Sequence, residues 1–405
     1  MTKSQTIFSA GFWKLCFNAF FFFLSFNMIL PELIIFIGTI GGEKYVGWVI
    51  AVFTLTAFLS RPFSGKIADN VGRKWVMMFG SGVAALCSLL YIGVEETALL
   101  IGGVITPVFV FLLVRFLHGM STGFNPTGAS AYLADIVPNH KRGEALGWLG
   151  FAGSLGMAAG PSIGAWINLR WGYDVMFIVS SVMAIISMLF IWNMVETLPK
   201  ERKKRFTAST VLVRVNDFYE PVVLVPTVAF TLYAFAFGAI YTLIPLRTEY
   251  LGIGEYRGLF FTVYVGFTTF TRIVAGKISD KKGREPVILA GLALIVIALL
   301  ILGMAKSLFP LLLGGIFFGL AHGIVGPTVS AWVADKAHEK RRGRAFSTMY
   351  MGMELGIGAG ALISAYLYNN SPDMFFPAFA VMAFLNVLAF VVVWRALAKQ
   401  KRLDS

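Results

Sequence analysis

The sequence predicts an all-α integral membrane protein with 12 transmembrane helices in two pseudo-symmetric six-helix bundles. Three observations lead there. Of 405 residues, 57% are hydrophobic and 14% are charged, against about 25% charged in an ordinary soluble protein. The apolar residues gather into twelve runs, each near the ~20 residues a helix needs to cross the hydrocarbon. The last six runs repeat spaced residues of the first six. A soluble chain of this length needs far more polar surface to cover its core. Soluble enzymes, disordered chains and disulfide scaffolds are therefore excluded. Twelve helices take about 240 residues and leave about 165 for tails and connections, so any function lies in the bundle or its short loops.

The runs fall at 11–38, 46–66, 75–94, 101–133, 144–168 and 173–195, then at 219–247, 256–276, 286–305, 308–334, 344–368 and 373–396. The first is too long for a signal peptide and has no small-x-small cleavage site, so it is a retained helix. Continuous apolar character excludes barrel strands, which alternate. The fourth and tenth are longer than the bilayer needs, which implies tilt or protrusion. Cys16 and Cys87 sit inside apolar runs and read as small core residues. The longest polar stretch, 196–217, holds Lys200, Arg202, Lys203, Lys204 and Arg205. It is expected to be a cytoplasmic linker between an N-terminal bundle, 1–195, and a C-terminal bundle, 218–405.

Basic residues set the orientation. With the N-terminus inside, 28 Lys and Arg fall in inside segments. Five fall outside (Lys44, Arg170, Arg247, Arg257, Lys306), and Arg115 lies within the fourth run. This bias places both termini in the cytoplasm of a cell-membrane protein. It accounts for the net charge of +13 by topology and anionic lipid contact, so nucleic acid is not expected as a partner.

The halves repeat. Gly65, Lys66, Ile67, Asp69, Gly72 and Arg73 recur as Gly276, Lys277, Ile278, Asp280, Gly283 and Arg284. Ser130, Ala131, Ala134, Asp135, Arg142, Gly143, Ala145, Gly156 and Gly160 recur as Ser330, Ala331, Ala334, Asp335, Arg342, Gly343, Ala345, Gly356 and Gly360. Two similar halves in one orientation mean duplication about an axis normal to the bilayer. Secondary transporters have this arrangement, with a solute site near the midplane.

The loop after run two reads Gly65-x-x-x-Asp69-x-x-Gly72-Arg73-Lys74. It resembles the signature loop of the major facilitator superfamily, degenerate second copy included. Run four, Arg115-x-x-His118-Gly119-x-x-Thr122-Gly123, is similar to that family's fourth-helix motif, with His118 where Gln is common. Run five reads Gly147, then Gly156-x-x-x-Gly160-Pro161-x-x-Gly164, and resembles the fifth-helix motif of the drug:proton antiporter branch, with Ala165 where its closing Gly is usual. The resemblance covers the whole chain. It implies a loop that latches the halves, with Asp69 and Arg73 against the start of run eleven near Arg344 and Ala345. It also implies a glycine face on run five that seals against run eight.

The residues carry their own chemistry. Gly65 and Gly72 suit tight turns, Asp69 suits a helix N-terminus, and Pro161 bends a helix. Glycines at 147, 150, 153, 156, 160 and 164 make one face that admits a close helix. Glu32, Arg115 and Glu354 are ionisable groups at membrane depth, each costing about 2.5–3.5 kcal/mol to insert. Asn18, Ser25 and Glu32 share one face of run one. Arg115, His118, Thr122 and Asn125 share one face of run four. By the resemblance, runs one, four, seven and ten line the cavity, so these stripes are expected to face the solute. His118, His322, Tyr233 and Tyr241 complete the expected substrate and proton set. The gating set is Gly65, Asp69, Gly72, Arg73, Gly156, Gly160, Pro161 and Gly164, with Gly276, Asp280, Gly283 and Arg284 in the second half. Gly65-Lys66 and Gly276-Lys277 lack the rest of a phosphate-binding loop, and no metalloprotease, hydrolase or His/Cys metal motif occurs. The expectation is a secondary transporter with no cofactor and no metal. It would work as a monomer, exchanging protons for small organic molecules. An exporter of one polar metabolite (an opine-type metallophore, a sugar or an amino-acid derivative) is the alternative. A non-transporting receptor or scaffold leaves the duplicated motifs and intramembrane charges unexplained.

Overall fold

The computed structural model describes residues 8–100, 106–137, 142–198, 203, 207, 219–336 and 342–404, and every regular element among them is helical. The first half contributes α1 (Ala10–Thr39), α2 (Val46–Asn70), α3 (Arg73–Leu90), a short α4 (Val94–Leu100), α5 (Pro107–Ile136) and α6 (Arg142–Trp192). The second contributes α7 (Leu224–Tyr250), α8 (Arg257–Lys282), α9 (Arg284–Met304), α10 (Leu308–Lys336), α11 (Arg342–Tyr368) and α12 (Phe375–Asp404). Most of the basic stretch expected as the linker lies outside the described residues, as do Lys141, Lys340 and Arg341.

The runs and the helices agree closely except at three places. Run four is not one helix from 101. Val94–Leu100 is a separate short helix, and α5 begins at Pro107. Thr106 is its N-cap, with its side chain accepting from the Phe109 N–H at 3.3 Å, and Pro at the first helical position fits that start. Runs five and six are joined in α6, whose backbone leaves helical angles at Gly172 (φ 82, ψ 176). That break, and not Pro161, divides its two arms. The signature loop is almost wholly helix: Gly65 lies inside α2 and Gly276 inside α8. The turns are made by Gly72 (φ 151) and Gly283 (φ 87) alone, conformations that favour glycine.

The chain divides into two compact units, residues 1–32 with 55–214, and residues 33–54 with 215–405. In the first, α3 packs on α5 and α6. One apolar core joins four helices through Phe12 and Leu15 of α1, Met77 of α3, Leu133 of α5 and Leu149 and Ile191 of α6. In the second, α7 packs on α11 and α12, and α10 on α8 and α9. This unit also takes the end of α1 and the first part of α2, which the sequence division had assigned to the N-terminal bundle. Gly47 makes that grouping physical, because a Cβ there would sit 2.7 Å from the Ala365 Cβ and 2.8 Å from the Ala361 carbonyl.

Glycine also sets the helix spacing inside each unit. Over Gly153 and Gly156 of α6 the nearest atoms belong to Phe23 and Phe20 of α1, and over Gly160 and Gly164 to Met28 of α1. The glycine face expected to receive run eight therefore receives α1. Gly352, Gly356 and Gly360 of α11 meet Thr227, Thr231 and Phe235 of α7 in the same way. The duplication read in the sequence is thus a duplication of packing, with fifth helix against first in both units.

Candidate functional site

Two clusters have counterparts in both units and hold Arg73, Arg284, Arg115, His118, Tyr233 and His322 of the expected site residues. The first lies where α2 turns into α3. Arg73 Nε meets Asp135 Oδ2 at 3.1 Å, and its guanidinium also donates to the Ala68 carbonyl. Thr197 Oγ1 donates to the same Asp135 oxygen at 2.7 Å. In the second unit, Arg284 Nε meets Asp335 Oδ2 at 2.9 Å and Arg284 Nη1 donates to Ser279 Oγ at 2.8 Å. The side chains of Asp69 and Asp280 lie outside what is described.

The negative group at the α3 N-terminus is Glu196. Its carboxylate accepts from the backbone N–H groups of Arg73 at 3.0 Å and Lys74 at 3.1 Å, where helix dipole and open N–H groups favour an anion. Sequence reading put Glu196 in the linker, and no local pattern announces a cap supplied from 123 residues away. Asp135→Asn is expected to lower stability by about 1 kcal/mol, and Asp335→Asn by less, since exposed pairs contribute little. Asp135 is 32% exposed and its second-half counterpart 54%. Thermal unfolding of the two variants checks the order.

The second repeated cluster lies at membrane depth. In the first unit, Tyr91, which caps the C-terminus of α3, sets its hydroxyl 3.3 Å from His118 Nδ1 and interacts with Arg115, one turn earlier on α5. All three are completely buried. The Arg115 guanidinium lies 5.9 Å from the Phe26 ring centre, within cation–π range. In the second unit, Tyr233 of α7 sets its hydroxyl 2.8 Å from His322 Nδ1. Phe237 lies 4.6 Å and Tyr264 6.0 Å from the same imidazole, ring centre to ring centre. The charge of Arg272 reaches Tyr233, Tyr264 and His322. Each unit thus holds an arginine, a tyrosine and a histidine, with tyrosine on histidine Nδ1. Tyr91 and Arg272 were missed in the sequence. Tyr91 closes an apolar run in a chain that is 15% aromatic, and Arg272 was absorbed into the inside charge count. The signal for Arg272 was depth: it stands ten residues before the end of α8.

Other expected site residues are placed differently. Asn125 Nδ2 donates to Ser81 Oγ at 2.8 Å, Ser81 meets Ser187 at 3.0 Å, and Asn18 Nδ2 donates to Ser187 Oγ at 2.7 Å. This chain crosses α5, α3, α6 and α1. A second tier joins Ser25 to the Ser180 carbonyl at 2.7 Å and Ser88 to Ser180 at 3.0 Å. Asn18, Ser25 and Asn125 are therefore interior hydrogen-bonding groups of the first unit and not a solute-facing stripe. A polar group away from water needs a partner, and the serines of α6 supply it. Glu32 is 1% exposed and accepts from Asn168 Nδ2 at 2.6 Å. Glu354 is buried on α11, and Tyr241 is buried with its ring stacked on Phe261 at 5.1 Å. Thr122 turns its hydroxyl to the Gly119 carbonyl at 3.2 Å.

A model of the major facilitator superfamily matches residues 15–260 and 227–404. The chain belongs to this superfamily. It is a transporter and not an enzyme. Among curated proteins it is 26% identical to the multidrug resistance protein MdtG of Enterobacter lignolyticus over 92% of this chain and 87% of that one. It is also 26% identical to MdtG of Salmonella schwarzengrund over 93% of each. Among solved structures it resembles a D-xylose–proton symporter (TM-score 0.78, 16% identity, 95% of this chain and 97% of that one). It also resembles the human organic anion transporter MFSD10 (TM-score 0.72, 21% identity, 95% and 99%). At those identities the structural likeness speaks for the fold.

Proposed function

We propose that the protein exports small amphipathic organic molecules from the cytoplasm in exchange for protons. In this reading the six-run halves, 1–195 and 218–405, are the moving bodies and 196–217 links them. Both termini are cytoplasmic, and the chain acts as a monomer. The observation that carries the proposal is the burial of Glu32, Arg115 and Glu354 at membrane depth, a cost that a purely structural helix has no reason to bear. The whole-length similarity to proteins named for multidrug resistance supports drug-like cargo. Glu32 and Glu354 provide the titratable carboxyls, Arg115 with Tyr91 and His118 a cationic centre, and Tyr233 with His322 an aromatic one. Thr122 and Tyr241 belong to the same set, and the glycine turns with the Arg73 and Arg284 pairs are the gating elements. A membrane potential of 100 mV acting on one charge supplies ~2.3 kcal/mol, enough for roughly fiftyfold accumulation at 1.4 kcal/mol per tenfold. The presence of a buried cation as well as buried acids in the chain favours a zwitterionic metabolite as the second reading.

Inside-out vesicles with an acidic interior test the proposal. Accumulation of a lipophilic cation with release of lumenal protons is the expected result. Accumulation of polar zwitterions alone selects the second reading, and no flux of either overturns both. Glu354→Gln is expected to lower the thermal stabilisation conferred by a lipophilic cation severalfold, with Glu32→Gln as the parallel variant. Unchanged stabilisation in both removes the acids from the site.

A further inference from the structure

We propose that the first unit carries a binding site for an acidic phospholipid on its membrane-facing surface, between α1 and the end of α6. A cavity of about 370 Å³ opens there, walled by Ile186, Leu189 and Phe190 of α6, with Lys14 of α1 and Asn193 at its polar end. Leu189 is 56% exposed, so this wall faces lipid and not the core. Lys14 Nζ donates to the Asn193 carbonyl at 3.3 Å, and Lys74 Nζ of α3 donates to the Trp192 carbonyl at 2.6 Å. Two ammonium groups from different helices thus converge on adjacent carbonyls. The C-terminal end of α6 attracts cations in its own right. Each ammonium has three N–H donors, and these bonds use one apiece.

The two parts of the site fit the two parts of one molecule. Lys14 and Lys74 take a phosphate, and the groove takes the acyl chain beneath it. Exposed Trp13 and Trp192 flank this end, and tryptophan concentrates at headgroup level. Free phosphate would leave the apolar walls unused. A zwitterionic headgroup would bring its own ammonium against two lysines. An anionic headgroup matches both walls and cations, and this end of the unit lies on the basic, proposed cytoplasmic side, where anionic lipid attracts Lys and Arg.

Native mass spectrometry of the purified full-length protein, in micelles holding equal phosphatidylglycerol and phosphatidylethanolamine, reads the preference directly. Phosphatidylglycerol is expected to be retained roughly 25-fold over phosphatidylethanolamine, on a scale of about fivefold per lysine. The Lys14→Gln/Lys74→Gln double variant is expected to lose the preference, and the double Arg variant to keep it. Leu189→Trp, which fills the groove and spares both charges, is expected to lower retention of either lipid and covers the case of a double variant that does not fold. Equal retention of the two lipids by the parent, or an unchanged preference in the double Gln variant, overturns the site. Equal thermal stabilisation by inorganic phosphate and by phosphatidylglycerol reduces it to an anion site without a lipid and overturns it as well.

Discussion

Arg115→Gln is expected to cut export at least tenfold while leaving the folded protein as stable as the parent, or more so. Arg115 is among the largest fully buried side chains. Burial of a guanidinium at membrane depth is unfavourable by about 2.5–3.5 kcal/mol. Its surroundings include an aromatic face at 5.9 Å and the Tyr91 hydroxyl. Gln keeps a donor for Tyr91 and removes the charge, as in cases where exchanging buried ions for neutral groups is neutral or stabilising. A residue whose loss relieves strain but abolishes activity is held for function. Arg115→Lys keeps the charge and loses the planar fork, so partial export is expected from it. The two readings come from one preparation: transport in vesicles, and thermal unfolding without solute. A fall in unfolding temperature of many degrees with Gln, alongside normal export per folded molecule, would make Arg115 a structural residue.

The fold was legible because the membrane simplifies the code. Helices are forced on a spanning chain by backbone hydrogen bonding, so hydropathy located the body of each run, although the helices of runs two, eight and twelve continue four to eight residues past the expected ends. The fourth was misread because Thr106-Pro107 is a cap written in polar and ring chemistry, which an average over apolar residues hides. The signature segment was misread as a loop for the converse reason. Lys66, Asp69 and Asn70 look like solvent residues, yet α2 continues through them and a single glycine, Gly72, makes the turn. Motif spacing found Arg73, Asp135, Arg284 and Asp335 as repeated letters, but not that they pair across helices in each unit. The polar stripes of α1 and α5 were visible as faces. Which neighbour each face meets was not, since a serine on α6 two residues too early would have sent Asn18 elsewhere. Distance along the chain hid Glu196 in the same way.

The glycine contacts give the duplication a measurable consequence. At Gly156 a Cβ would overlap the Phe20 carbonyl and lie 2.8 Å from the Leu24 nitrogen; at Gly356 it would overlap the Thr231 carbonyl and lie 2.8 Å from the Ala234 Cβ. In both cases the obstruction includes main chain of the first helix of the unit, which cannot turn aside as a side-chain tip does. Overpacking of a tight site is unfavourable by about 1–3 kcal/mol. It outweighs the gain of up to ~1 kcal/mol from replacing glycine by alanine in a helix. Gly156→Ala and Gly356→Ala are therefore expected each to lower the unfolding temperature by several degrees, and Gly156→Leu and Gly356→Leu to prevent accumulation of folded protein. Gly266 of α8 is the control, since a Cβ there meets nothing within 4 Å, and Gly266→Ala should leave stability unchanged or slightly raised. Similar losses at 156 and 356 mean that both units rest on one inherited first-to-fifth helix contact. A loss at 156 with none at 356 would mean that the second unit has drifted from that packing, and that the repeat survives there in sequence only.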